Sequence, residues 1–251
     1  MTSHLTIVTG SSRGVGAALV EQLLQPGHVV LGLARQHNAA LASLAEARGA
    51  RLTQWAVDLA EPALPAQRLA EWLAAWLPGQ VASATLINNA GVVGGPGPLH
   101  AAAAADLQRA LRVGLEAALL LTSAFLGATD GWPVPRKVLN ISSGLGRRAM
   151  AGSAAYCAAK AGMDHFSRAV ALEQAALPNG ARIVSMAPGV IDTDMQAELR
   201  GADAARFPER ARFAALQANG QLMSPAACAS ALLARLARAD FGDEAVADVR
   251  E

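Results

Sequence analysis

The sequence predicts an α/β protein: a single domain on a doubly wound parallel sheet of about seven strands, with helices on both faces. Three observations predict it. Short β-branched runs alternate with longer Ala/Leu-rich segments along the whole chain. The candidate strands are apolar almost throughout, as strands covered on both faces must be. The chain has 251 residues, is 53% hydrophobic and 16% charged, and has a mean hydropathy of +0.27. That is enough for a large core, and no repeat or low-complexity linker divides it, so 1–251 reads as one domain.

Taken in order, residues 5–9 form the first strand, followed by a Gly-rich turn and a helix over 15–24. Residues 29–34 form the second strand. Asn38 supplies an N-cap for a helix to about 47, because its side-chain oxygen can accept from a first-turn amide. Strand 51–57 and helix 64–77 follow. Further strands fall at 85–88, 137–142 and 182–186, separated by long helices near 103–127 and 154–176. Ser224-Pro225 opens a last helix, an N-cap followed by proline at the first helical position. Residues 245–249 form the final strand. Gly94 to Pro98 is a loop, and 196–222 reads as an irregular polar insertion.

Composition narrows the function. The net charge is +1 and the isoelectric point about 7.9, so no basic field is present to hold nucleic acid by its phosphates. Cys157 and Cys228 stand in no CxxC or Cys/His cluster, and the histidines have no metal-ligand spacing. The start MTSHLTIVTG has no signal-peptide pattern, and the apolar stretch 115–126 is interrupted by Glu116 and too short to span a bilayer. A cytoplasmic location without membrane or nucleic-acid partners is the expectation. The four tryptophans read as packing. Of 21 basic residues only Lys137 and Lys160 are lysine, and Tyr156 is the one tyrosine. Where an Ala/Arg-rich chain keeps such residues, chemistry is a reason to keep them.

The turn after the first strand reads Thr9-Gly10-Ser11-Ser12-Arg13-Gly14-Val15-Gly16. Glycines at a first strand–helix junction let backbone approach a pyrophosphate at the positive helix N-terminus. At the end of the second strand, NAD-binding folds place an acid against the ribose 2′-hydroxyl. Here Leu33-Ala34-Arg35-Gln36 has none. Arg35, with Arg13 nearby, suits a 2′-phosphate, which favours NADP over NAD. Tyr156 and Lys160 are i, i+4 neighbours on one helix face. An ammonium at that range is expected to lower a phenol's pKa from about 10. Ser143 follows a strand end, which brings its hydroxyl to the edge where open α/β sheets bind ligands.

With these residues in hand, the chain resembles the short-chain dehydrogenase/reductase family over essentially its whole length. The shared motifs are TGxxxGxG at Thr9–Gly16, Asp58 after the third strand, NNAG at Asn88–Gly91, the Ser143/Tyr156/Lys160 set, and PGxxxT from Pro188 to Thr193. The resemblance implies a Rossmann-type fold with an NADP(H) site at Gly10, Ser12, Arg13, Val15, Gly16 and Arg35. It places Asp58 and Leu59 at the adenine, and Asn89, Ala90 and Gly91 at the adenosine ribose side. Pro188, Gly189, Ile191 and Thr193 would meet the nicotinamide, beside Tyr156 and Lys160.

Within the family, Asn140-Ile-Ser-Ser-Gly, Ala155-Tyr-Cys-Ala-Ala-Lys and Asp192-Thr-Asp-Met-Gln are similar to the sepiapterin reductase and bacterial benzil reductase branch. That likeness implies an NADPH-dependent carbonyl reductase acting on a vicinal diketone or a pterin side-chain ketone. Ser143 and Tyr156 would hold the carbonyl, and Asp248 would contact a pterin. It also implies a homodimer or homotetramer through the two long helices. One residue departs: Gly114 stands where the family carries an asparagine serving the proton relay to the lysine. That departure motivates the alternative of a non-catalytic NADP-binding sensor.

Overall fold

The computed structural model describes residues 2–251. Seven parallel strands form one sheet: β1 (Ser3–Thr9), β2 (His28–Ala34), β3 (Arg51–Ala56), β4 (Val81–Asn88), β5 (Arg136–Ile141), β6 (Arg182–Ala187) and β7 (Val246–Asp248). Their order is β3-β2-β1-β4-β5-β6-β7. The order reverses between β1 and β4, and a crevice opens at that point beyond the strand C-termini.

Helices cover both faces, because alternate residues of each strand feed opposite cores. On one face Leu5, Ile7, Leu31 and Leu86 pack under α3 (Ala63–Ala74) and α5 (Ala117–Ala128). On the other, Val8, Val30, Ile87 and Leu139 pack under α1 (Gly14–Leu23), α2 (Ala39–Ala47) and α9 (Pro225–Ala237). Both expected caps form: Asn38 accepts from Leu41 N at 3.2 Å, and Ser224 from Ala227 N at 3.2 Å. The tryptophans pack as expected, with Trp55, Trp72 and Trp76 edge to face and arginines over two of the rings.

Three expectations need correction. Segment 196–222 is not irregular. It contains α7 (Asp194–Gly201) and α8 (Arg210–Ala218), which bury Leu199, Phe207 and Phe213 in a small third core with Leu145 and Met150. So few apolar residues among so many charges gave no helical period to read. The α3 helix stops at Ala74, short of 77, and a 3₁₀ turn starts at Pro78, whose ring disfavours helix at the residue before it. Finally, α4 (Ala104–Leu111) joins α5 through a π turn over Arg112–Glu116, making 25 helical residues long and apolar enough to cross a membrane. In this fold Ala117, Leu121 and Phe125 of that helix are buried against the sheet.

Candidate active site

The crevice is a cleft of about 1150 Å³, room for a ligand larger than an ordinary small-molecule site holds. Its floor is the Gly-rich turn. Gly10 has φ +67°, and a Cβ on Gly16 would lie 2.1 Å from the Gly10 carbonyl oxygen, so the turn closes only with glycine at both positions. A side chain on Gly32 of β2 would strike Ser11 Oγ at 2.6 Å, a requirement that nothing local in the sequence announces.

Thr9 and Asn89 lock this turn to β4. Thr9 Oγ1 accepts from Asn89 N at 2.9 Å and Ala90 N at 3.0 Å, while Asn89 Nδ2 donates to Thr9 O at 2.9 Å. Asn89 Nδ2 thus props the cradle, while the residue, expected at a ribose, also lines the cleft. The role of Thr9 was missed, because only its partner eighty residues away reveals it.

Ser12, Val15, Arg35, Asp58, Leu59, Ala90, Gly91, Pro188, Gly189, Ile191 and Thr193 line the cleft as well, and Gly16 lies beneath it. Arg35 is exposed just past β2 and makes no ion pair among the described residues. Arg13 does not point to the same place: its guanidinium pairs with Asp194 at 2.6 Å across the cleft mouth. Both partners are largely exposed, so the pair is weak and open to exchange. Asp58 turns its carboxylate to Ala60 N at 3.0 Å. Thr193 caps α7. A glycine-lined floor and a helix N-terminus with no acid in its first turn fit the pyrophosphate of a nicotinamide dinucleotide.

The chemical residues come from two elements. Ser143 follows β5 and accepts from Leu145 N at 3.1 Å. Tyr156 and Lys160 lie one turn apart on α6 (Ala154–Ala175). A buried amide ladder fixes that helix on the sheet: Asn88 Nδ2 donates to Asn140 Oδ1 at 2.8 Å, and Asn140 Nδ2 to Ser167 Oγ at 2.8 Å. All three candidates line the cleft.

Lys160 is 3% exposed, and its Nζ donates to Ile141 O at 2.7 Å and lies 5.7 Å from the Tyr156 ring centre. Burial pushes its pKa down to about 8, against the opposing charge of Asp164. Tyr156 departs from expectation. Burial of the phenol raises its pKa, and the Ser143 hydroxyl pulls the other way. Desolvation of the phenolate is the largest influence, and the neighbouring Cys157 acts in the same direction.

Gly114 is buried in the π turn, where a Cβ would come 3.2 Å from Ala159 Cβ of α6. The glycine lets the two helices touch. Gly114→Ala is therefore expected to forfeit its helix-propensity gain of about 1 kcal/mol and to leave Tm equal or lower by a few degrees. A clear rise in Tm on thermal melting would show that α6 yields freely there.

The short chain dehydrogenase pattern matches residues 4–204. The chain is 35% identical over 235 residues to a benzil reductase ((S)-benzoin forming) from Bacillus cereus, covering 94% of each. It is 34% identical over 254 residues to sepiapterin reductase from Meriones unguiculatus, covering 96% of this chain and 94% of that one. A solved short-chain dehydrogenase/reductase from Burkholderia vietnamiensis is 37% identical, with TM-score 0.66 over 98% of this chain and 97% of that one. The cradle at the sheet's switch point and these likenesses agree, and the chain belongs to the short-chain dehydrogenase/reductase family of oxidoreductases.

Proposed function

We propose that the protein is an NADPH-dependent carbonyl reductase that converts a ketone to a secondary alcohol, with a vicinal diketone or a pterin side-chain ketone as substrate. The observation that carries this reading is the convergence of Ser143, Tyr156 and Lys160 on the cleft that the Gly-rich turn floors. The benzil and sepiapterin reductases among its relatives support the substrate class. Arg35 and the missing acid after β2 support NADP. Bound along the cleft, the reduced nicotinamide supplies the hydride.

The chain's own residues do the rest. Ser143 donates a hydrogen bond to the carbonyl oxygen and orients it. Tyr156 gives that oxygen its proton as negative charge develops there. Because burial raises its pKa, the phenol stays protonated, and so able to donate, throughout the neutral range. Lys160, still largely charged at pH 7, stabilises the phenolate left behind, which regains its proton from solvent. Leu145, Met150, Leu199 and Phe213 form the apolar wall where an aryl or pterin ring would rest. The family resemblance supports a homodimer or homotetramer, and Leu119 and Leu172 are exposed on the two long helices.

The alternative, a cofactor-binding sensor, rests on Gly114 alone. NADPH oxidation monitored at saturating enzyme over a panel of benzil-type and pterin ketones decides between them. Turnover on at least one is expected, and cofactor binding without turnover on any would favour the sensor.

Asp248 lines the same cleft from β7, but Arg250 holds it bidentately, at 2.7 Å to Oδ1 and 2.6 Å to Oδ2. That pairing lowers the pKa of its carboxyl. An amino-pyrimidine edge would have to displace the exposed Arg250. If it does, Asp248→Asn raises KM for a pterin ketone and leaves a benzil-type diketone nearly untouched. Equal effects on both substrates would remove Asp248 from the site.

A further inference from the structure

Asp164 lies one helical turn beyond Lys160 and is 2% exposed. A carboxylate so placed has to be compensated. Ser185 Oγ on β6 donates to its Oδ1 at 2.6 Å, and Arg147 Nε reaches its Oδ2 at 3.3 Å. Arg147 comes from the turn after Ser143, and its Nη2 is committed to Ala247 O on β7 at 2.7 Å. The turn is pressed onto the helix here. A Cβ on Gly146 would lie 2.9 Å from both Asp164 Oδ2 and Lys160 O. Lys160, for its part, touches only a neutral carbonyl and a thioether through Nζ.

We propose that Asp164 is a positioning residue that holds the Lys160 ammonium charged, with Arg147 as the opposing cation that limits the effect. This rests on the role given to Lys160 above. No other ionised group competes for the lysine. On its own helix His165, Arg168 and Glu173 are exposed, which leaves Tyr156 and Asp164, and β6 faces it with Ser185. On β7, Asp248 is taken by Arg250. Across the α4 side, Arg112 turns away to Glu61, Glu116 is exposed, Asp106 lies by Gly95, and Arg109 lines the outer cleft. No charged residue occurs in α5. The carboxylate lies one turn along the same helix, outside direct ion-pair contact with Nζ. It is thus the buried anion on the lysine's own element that can offset the burial of the ammonium through space.

The two-lysine composition makes the test direct. Protein labelled with ¹³C at the lysine ε-carbon gives two titrating signals, and Lys137→Arg assigns them. Asp164→Asn, which keeps the shape and a hydrogen bond to Ser185, is expected to lower the Lys160 midpoint by about one pH unit. The alkaline limb of kcat/KM should descend with it. Arg147→Gln, altering a partly exposed partner, should move both the other way. Midpoints unchanged within about 0.2 unit in both variants, or moving in the same direction with a fall in Tm, would overturn the proposal in favour of a structural role. If Lys160→Met kept its kcat, the catalytic reading would fail instead, while the NMR titration would still judge Asp164.

Discussion

Tyr156→Phe is expected to bind cofactor as the parent does and to lose about 10²–10⁴-fold in kcat, the usual worth of a positioned acid. The substitution removes one oxygen and leaves the ring in the small core it shares with Leu145 and Met150. Tm should therefore stay within a degree or two. KM should change little, because Ser143 still holds the carbonyl. The informative comparison is kcat on the best ketone beside the dissociation constant of NADPH. A variant that kept most of its kcat would put the acid elsewhere.

The second large effect concerns cofactor choice. Arg35→Asp replaces the free cation past β2 with a carboxylate. It removes charge-assisted hydrogen bonds worth about 1.5–3 kcal/mol and adds repulsion toward a 2′-phosphate. NADPH affinity is expected to fall roughly 10- to 100-fold or more, while NADH, with only a hydroxyl there, keeps or gains affinity. Arg13, in an exposed and exchangeable pair with Asp194, can recover part of the loss, so the double variant with Arg13→Ala is expected to fall further. Equal shifts for the two cofactors, measured as dissociation constants, would sink the assignment.

What the sequence made legible were features written in local pattern. Strands apolar on both faces, helices with Asn38 and Ser224 at their starts, and a Gly-rich turn after the first strand all carry their reason within a few residues. The i, i+4 pair Tyr156/Lys160 is equally local. Features held by distant contacts stayed hidden. Asn89 props Thr9, Gly32 makes room for Ser11, and Asp164 meets Arg147 and Ser185, and each is ordinary until the sheet brings its partner alongside. The direction of the phenol's pKa depends on contacts of the same distant kind. Spacing places the ammonium, but only packing sets the desolvation that opposes it.

The lock between Thr9 and Asn89 also bears on the order in which the molecule is made. A turn whose shape is fixed by a residue eighty positions later cannot be finished when its own strand and helix leave the ribosome. Ribs β1, β2 and β3 can associate early, but their central edge stays unpaired until β4 arrives. Loop-closure entropy then has to be met across the whole intervening stretch. Cofactor binding competence therefore emerges late in synthesis, as one event with the closure of the sheet at its middle. The nascent half-sheet presents an open apolar edge in the meantime, the kind of surface on which folding intermediates aggregate.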